Sequence, residues 1–134
     1  MIATDTSVLV AAYATWHDAH QIAADALRRR PLLIGHAALE TYSVLTRLPE
    51  PLRVPPRLAL EYLERNFPAE GLALTFSQQR ELLGRVGELG IAGGAVYDAL
   101  IAETARAHDT SLLSLDRRAA VVYERLGVAY ELIG

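Results

Sequence analysis

The sequence predicts a single α/β domain over residues 1–134, with a central parallel sheet of about four to five strands and helices on both faces. Short apolar runs alternate with helical apolar spacing along the whole chain, as in parallel sheets with crossover helices. The size and the composition, 51% apolar and 22% charged residues, are those of one globular domain. No linker, repeat or low-complexity tract interrupts the alternation.

Strands are predicted where a short apolar run is bounded by a capping residue or by Gly or Pro. In chain order these runs are residues 2–4, 31–35, 72–76, 110–115 and 128–133. The first run ends at Asp5-Thr6-Ser7 and the fourth ends before Asp116, and both endings are typical of a helix cap. We therefore expect a helix to follow each of these two strands directly.

Helices are predicted where apolar residues recur at three- and four-residue spacing. In chain order they cover residues 8–14, 17–30, 36–48, 57–67, a stretch capped by Ser77, 95–108 and 117–126. Residues 49–56 hold four of the six prolines and are expected to form a loop. The glycines at positions 84, 87, 90 and 93 predict a weak helix end followed by a loop.

The amino acids that the chain lacks exclude several classes of site. There is no cysteine, so disulfide scaffolds, cysteine nucleophiles, iron–sulfur centres and thiolate zinc sites are excluded. All 13 basic residues are arginine, which excludes sites that need a lysine, such as a P-loop or a Schiff base. No apolar run could span a bilayer and no signal peptide is visible, so we expect a cytoplasmic protein.

The net charge of −3 by itself argues against a nucleic-acid partner. Two bound divalent ions would make the charge positive, however, so the charge does not decide the question.

Two aspartates follow predicted strands. Asp5 comes directly after the first strand and Asp116 after the fourth. Ligands of open parallel sheets bind beyond the carboxyl ends of the strands, so both positions are candidates for a functional site. The alternative for each is an N-cap of the following helix, a role in which Asp is common.

Asp98 and Glu40 are placed on predicted helices. The neighbours of Asp98 at three-, four- and seven-residue spacing are Ala95, Ile101, Ala102 and Ala105. An ionised carboxylate on such an apolar face is costly without a partner, which favours function, although the helix dipole also favours an acid in a first turn. Glu40 is either functional, a surface residue or an i,i+4 partner of His36.

If the four carboxylates converge, they would repel one another unless they were protonated or bound to metal. Oxygen ligands without cysteine suit Mg²⁺ or Mn²⁺, which activate water and stabilise phosphate oxyanions. The residues therefore point to phosphodiester hydrolysis, on the condition that the four groups meet.

The chain resembles the PIN-domain nucleases, and within them the VapC toxins of VapBC toxin–antitoxin modules. The resemblance lies in segment 2–7, the helical Glu40, segment 93–102 and segment 112–118, and in the order of the acids that they carry. The resemblance covers the whole chain. It implies an Mg²⁺-dependent endoribonuclease, with Mn²⁺ as a substitute, that acts on structured RNA such as tRNA or rRNA. It further implies a VapB-like antitoxin, a homodimer and a toxin–antitoxin hetero-oligomer.

By position, the resemblance implies an acidic pocket of Asp5, Glu40, Asp98 and Asp116, which hold the metal directly or through water. Thr6, Ser7 and Ser114 match small hydroxyl residues that line such a pocket. Many members carry a further acid a few residues after the fourth. Here Arg117, Arg118 and Ala119 follow instead. One tightly held ion with a second ion that the substrate helps to bind, and two pre-bound ions, therefore both remain open.

The sequence leaves other interpretations of several residues, and of the function, open. Arg117 and Arg118 either contact RNA phosphates or are simply solvated. His17 and His20 have a spacing that could share a metal, but further ligands are lacking. A degenerate PIN domain that only binds RNA or protein is one alternative function. An Asp5-dependent phosphatase is another, although that chemistry needs a second Asp at position 7, which is Ser, and a lysine.

Overall fold

A parallel sheet lies at the centre of the computed structural model, which describes residues 1–134. Its three regular strands are β1 (Ile2–Thr4), β2 (Ser111–Ser114) and β3 (Tyr130–Leu132), in the order β1-β2-β3. Single parallel bridges add two more chain segments: the bridge from Ala3 to Leu32 places one segment beside β1, and the bridge from Ile34 to Leu72 places the other beyond it. Five segments therefore run side by side, and the predicted α/β architecture is confirmed.

The two segments that join by single bridges are shorter than predicted. The run 31–35 begins with a proline, which has no N–H to donate, and a helix already starts at Gly35. The run 72–76 pairs only at Leu72, because the next helix begins at Phe76. Neither segment has room for a regular ladder of hydrogen bonds.

Seven helices connect and cover the strands, as predicted. They are α1 (Thr6–Tyr13), α2 (His20–Leu27), α3 (Gly35–Thr46), α4 (Pro56–Asn66), α5 (Phe76–Leu89), α6 (Ala95–Ala107) and α7 (Arg117–Arg125). None of them is long and apolar enough to cross a bilayer.

The helix boundaries differ from the prediction in three places. The helix predicted over 17–30 covers only α2, and Arg30 beyond its end has a positive φ of 55°. The cap of α5 is Thr75 and not Ser77, because Thr75 and Gln78 exchange hydrogen bonds in a capping box. The helix α5 also continues through Gly84 and Gly87, and it ends where Gly90 adopts a left-handed conformation.

Helices pack on both faces of the sheet because neighbouring side chains of a strand point in opposite directions. Leu112 lies in the larger core, with residues of α3, α5, α6 and α7. Leu113 lies in a smaller cluster on the opposite face, with residues of α1 and α2. The carboxyl ends of β1 and β2 lie side by side between these layers, and the register pairs Thr4 with Leu113. The residues that follow the two strands are thus neighbours.

Candidate active site

A cavity of about 730 Å³ opens at the carboxyl edge of the sheet. Four carboxylates line it, and each comes from a different part of the chain. Asp5 follows β1, Glu40 lies on α3, Asp98 lies on α6 and Asp116 follows β2. All four acids singled out from the sequence therefore share one cavity.

Asp5 lies at the floor of the cavity and is only 2% exposed. Its Oδ1 accepts hydrogen bonds from the Ser7 hydroxyl and, at 3.4 Å, from the Val8 N–H. Its Oδ2 accepts from the hydroxyls of Ser114 and, at 2.7 Å, Tyr123. Burial raises the pKa of Asp5, and these hydrogen bonds oppose the rise. Asp5 is the N-cap of α1 as well as a cavity residue, so the two interpretations of this aspartate are compatible.

Two serines connect Asp5 to the loop that carries Asp116. The Ser7 hydroxyl accepts from the Leu115 N–H at 2.9 Å, and the Ser114 hydroxyl accepts from the Asp116 N–H at 3.0 Å. Both hydroxyls donate to Asp5 in turn. The side chain after β1 and the backbone after β2 are thus held in one hydrogen-bonded unit.

Asp116 is the N-cap of α7. Its Oδ1 accepts from the N–H groups of Arg118 at 2.9 Å and Ala119 at 3.1 Å, whereas its Oδ2 has no hydrogen-bond donor within the chain. The cap fixes the carboxylate at the cavity wall and leaves one oxygen available there.

Glu40 is held by a residue of α1, since the Thr6 hydroxyl donates to its Oε1. The other oxygen, Oε2, lies 3.7 Å from Nε2 of His36, as an i,i+4 pair on α3. Thr6, Ser7 and Ser114, the three hydroxyl residues expected near the pocket, therefore all hydrogen-bond to its carboxylates.

The carboxyl group of Asp98 has a raised pKa in this cavity. Its pKa is raised from 3.8 to about 6, first by burial and then by the negative charges of Asp116, Glu40 and Asp5, with Arg118 opposing. The carboxylate lies in the first turn of α6, where the helix dipole would favour its charge. Burial and the neighbouring acids outweigh that dipole, so the cavity concentrates negative charge that the chain does not neutralise.

Comparison with known proteins identifies the family. The family model described as PIN domain matches residues 2–125. Ribonuclease VapC40 of Mycobacterium tuberculosis (strain CDC 1551 / Oshkosh) is 50% identical over 133 residues, which cover 99% of each chain. The chain belongs to the VapC family of PIN-domain ribonucleases. A second VapC relative, Ribonuclease VapC27 of M. tuberculosis (strain ATCC 25618 / H37Rv), is 44% identical over 129 residues, which cover 95% of this chain and 93% of that protein.

PIN-domain ribonucleases generally depend on a divalent metal, and the cavity of this VapC protein fits such an ion. The donors are all carboxylate oxygens, and burial and then repulsion by the other acids raise the pKa of Asp98, so a cation would stabilise its ionised form. No three acidic or histidine side chains already form a ligand group around one point. An ion here would therefore be held by few carboxylates and complete its shell with water or substrate oxygens, as Mg²⁺ commonly does.

Basic side chains also line the VapC cavity. The predicted Arg117 and Arg118 are there, together with Arg47 at the end of α3 and His17, which the sequence analysis did not assign to the site. None of the three arginines lies within ion-pair distance of a carboxylate, although seven arginines elsewhere do. The positive charge of these three arginines is therefore available to an anionic ligand.

The two histidines considered as a metal pair point to different places. His17 lines the acidic cavity, and its Nδ1 accepts from the Ala19 N–H at 3.0 Å. Nδ1 of His20 lies 2.9 Å from the Ala11 carbonyl oxygen, and His20 lines another cavity, beside Tyr62. The sequence spacing alone does not bring the two rings to one site.

Proposed function

We propose that this single-domain VapC protein is the toxin of a VapBC module and a Mg²⁺-dependent endoribonuclease that cuts structured RNA such as tRNA or rRNA. The observation that carries the proposal is the convergence of Asp5, Glu40, Asp98 and Asp116 on one cavity, where burial and then repulsion by the other acids raise the pKa of Asp98 to about 6. Mn²⁺ is expected to substitute for Mg²⁺, because both prefer oxygen ligands.

In the proposed reaction, Asp98, Asp116 and Asp5 hold the metal directly or through water. Glu40, which Thr6 holds in place, binds the metal or orients the attacking water. A divalent ion held there would supply a lowered pKa for that water and positive charge beside the scissile phosphate. Attack of the water oxygen on phosphorus would break the P–O3′ bond, and the water would supply both the new oxygen of the 5′-phosphate and the proton that the leaving O3′ takes up to become a 3′-hydroxyl.

The arginines at the cavity have a separate role in this proposal. Arg117 and Arg118 at the start of α7 and Arg47 just after α3 bind phosphates of the RNA strand, since none of them lies within ion-pair distance of a carboxylate. Arg117 and Arg118 also occupy the positions just after Asp116, where many relatives carry a further acid. This favours one tightly held ion, with any second ion completed by substrate oxygens.

The two alternative functions have less support. A phosphatase would use Asp5 as a nucleophile together with a second aspartate two residues later and a lysine, but position 7 is Ser and the chain has no lysine. A degenerate domain that only binds RNA or protein would be expected to have lost acids, whereas all four line the cavity.

The proposal includes protein partners and a cytoplasmic location, where cellular RNA is accessible. A VapB-like antitoxin and a second copy of the chain would cover apolar side chains that are exposed on the isolated protein. Leu39 and Leu83 are 73% and 69% exposed, and Trp16 and Tyr97 are about half exposed. Exposed apolar surface of this kind is typical of interaction sites.

The test of the proposal is cleavage of total cellular RNA by the purified, antitoxin-free protein, with and without Mg²⁺ or Mn²⁺, followed by sequencing of the new 5′ ends. We expect discrete cuts with 5′-phosphates that require both the metal and Asp98. Asp98→Asn removes the charge at constant shape, and Asp18→Asn makes the same change at an exposed position outside the cavity. The absence of metal-dependent cuts by folded protein, or their persistence in Asp98→Asn, would contradict the proposal.

A further inference from the structure

Tyr123 contacts the acidic site from the core of the protein. It is fully buried on α7, seven residues after Asp116 and therefore on the same face of that helix. Its hydroxyl lies 2.7 Å from Oδ2 of Asp5 and donates to it. This hydroxyl has no other hydrogen-bond partner, so its only polar contact is with Asp5.

Packing alone does not explain a tyrosine at this position. The ring lies in the large core and meets the ring of Tyr130 edge-on, at 6.0 Å between centroids. A phenylalanine would fill the same space, whereas a buried phenol requires a hydrogen-bond partner. The core fixes the ring, and the ring in turn fixes the direction from which its hydroxyl reaches the carboxylate.

The tyrosine completes the set of donors around Asp5. Oδ2 accepts from Tyr123 and Ser114, and Oδ1 accepts from Ser7 and the Val8 N–H. These donors come from three elements, α1, β2 and α7. Asp5 is thus held in one orientation, and Tyr123 is the donor that ties it to α7, the helix that Asp116 caps.

We propose that Tyr123 is a positioning residue for the metal-dependent reaction, because its hydroxyl holds the Asp5 carboxylate in the orientation in which Asp5 binds the metal directly or through water. This inference rests on the proposed function. Groups that hydrogen-bond to metal-binding carboxylates typically change metal affinity or activity by about 10- to 100-fold when they are removed. Tyr123 itself does not need to touch the metal or the RNA.

The test compares Tyr123→Phe with Tyr130→Phe. Both variants lose one phenol hydroxyl, but the hydroxyl of Tyr130 reaches only Glu124, on the surface. Mn²⁺ affinity is measured from the electron paramagnetic resonance signal of free Mn²⁺, and cleavage of an RNA oligonucleotide is measured over a range of Mn²⁺ concentrations. Circular dichroism confirms that both variants are folded.

For Tyr123→Phe we expect Mn²⁺ affinity to fall about 10- to 100-fold. We expect kcat to fall at low Mn²⁺ and to recover at high Mn²⁺, with an unchanged KM for RNA, because only the metal site is affected. Tyr130→Phe should match the wild type. A Tyr123→Phe protein with wild-type Mn²⁺ affinity and metal dependence would overturn the inference.

The outcomes separate this inference from the function on which it rests. A wild-type protein that neither binds Mn²⁺ nor cleaves RNA refutes both, whereas an active wild type that Tyr123→Phe matches refutes only the role of Tyr123. If Tyr123→Phe does not fold, the wild type labelled with ¹³C at tyrosine Cζ is titrated with Mg²⁺. The Tyr123 resonance should then shift while that of Tyr130 does not, and an unmoved Tyr123 resonance overturns the inference.

Discussion

Replacing Asp98 with asparagine should stabilise the metal-free protein while it abolishes cleavage. The pKa of Asp98 is raised from 3.8 in its ordinary state to about 6 in the folded protein. A carboxyl group whose pKa is higher in the folded than in the unfolded chain lowers the free energy of unfolding at a pH where the group is ionised. None of the influences on this pKa is a hydrogen bond, so the substitution should cost little.

The size of the effect follows from the pKa. One pKa unit corresponds to about 1.4 kcal/mol, so the rise at Asp98 would amount to about 3 kcal/mol for a group shielded from solvent. Asp98 is only partly buried, and solvent screens its repulsion by the other acids. We therefore expect the asparagine variant to gain about 1 kcal/mol in free energy of unfolding at neutral pH.

The assay is urea unfolding in EDTA, followed by circular dichroism at several pH values. Below pH 3.8 the carboxyl group is protonated in both the unfolded and the folded chain, so the variant has no advantage. The advantage should grow between pH 3.8 and about 6 and remain constant above that. Asp18→Asn, which removes an exposed and unpaired carboxylate, should show no such gain.

Metal should reverse the order of stability. An ion at about 100 times its dissociation constant stabilises a folded protein by about 2.7 kcal/mol, and only the wild type should bind it well. An asparagine variant that is less stable than the wild type in EDTA at neutral pH would refute the reasoning, because burial and the neighbouring acids would then not disfavour the ionised form of Asp98.

Two further predictions concern the surroundings of the carboxylates, and a third concerns the cap of α5. Ser114→Ala removes a buried hydroxyl that both donates and accepts, so urea unfolding should show a loss of about 1–3 kcal/mol; a neutral result would contradict the hydrogen-bonded unit. Arg117→Ala and Arg118→Ala should each weaken RNA binding and lower the slope of log affinity against log salt by about 1 in fluorescence anisotropy. Arg28→Ala, at an exposed arginine paired with a neighbouring aspartate, should not change that slope. Thr75→Ala should lower the melting temperature, at a cost of about 1 kcal/mol, and leave cleavage unchanged, and reduced cleavage would show that the cap affects the site.

The parts of the site that the sequence predicts are those tied to local patterns. Asp5 and Asp116 follow apolar runs, and the carboxyl ends of parallel strands lie together, so their proximity follows from the fold class. Both residues cap helices as well, which shows that a cap and a cavity residue are not exclusive. Asp98 was indicated because it lies on an apolar helical face. That pattern implies burial, and burial is the first cause of its raised pKa.

The residues that the sequence analysis missed depend on contacts across the fold. Tyr123 and Asp5 are 118 positions apart, and within its helix Tyr123 has the spacing of an ordinary core residue. Arg47 comes at the end of α3 with no local pattern that would assign it to the cavity. The cap of α5 was misplaced for a different reason. Both Thr75 and Ser77 are good caps, and the deciding partner, Gln78, stands three residues after Thr75.

The central claim, that the four carboxylates form one divalent-metal site, is tested most directly by locating the metal. Crystals of the antitoxin-free protein soaked in Mn²⁺ would be measured for anomalous scattering. We predict an anomalous peak in the cavity between Asp5, Glu40, Asp98 and Asp116, with at least one of these carboxylates bonded to the ion. No peak there at saturating Mn²⁺, or a peak only elsewhere on the protein, would contradict the claim.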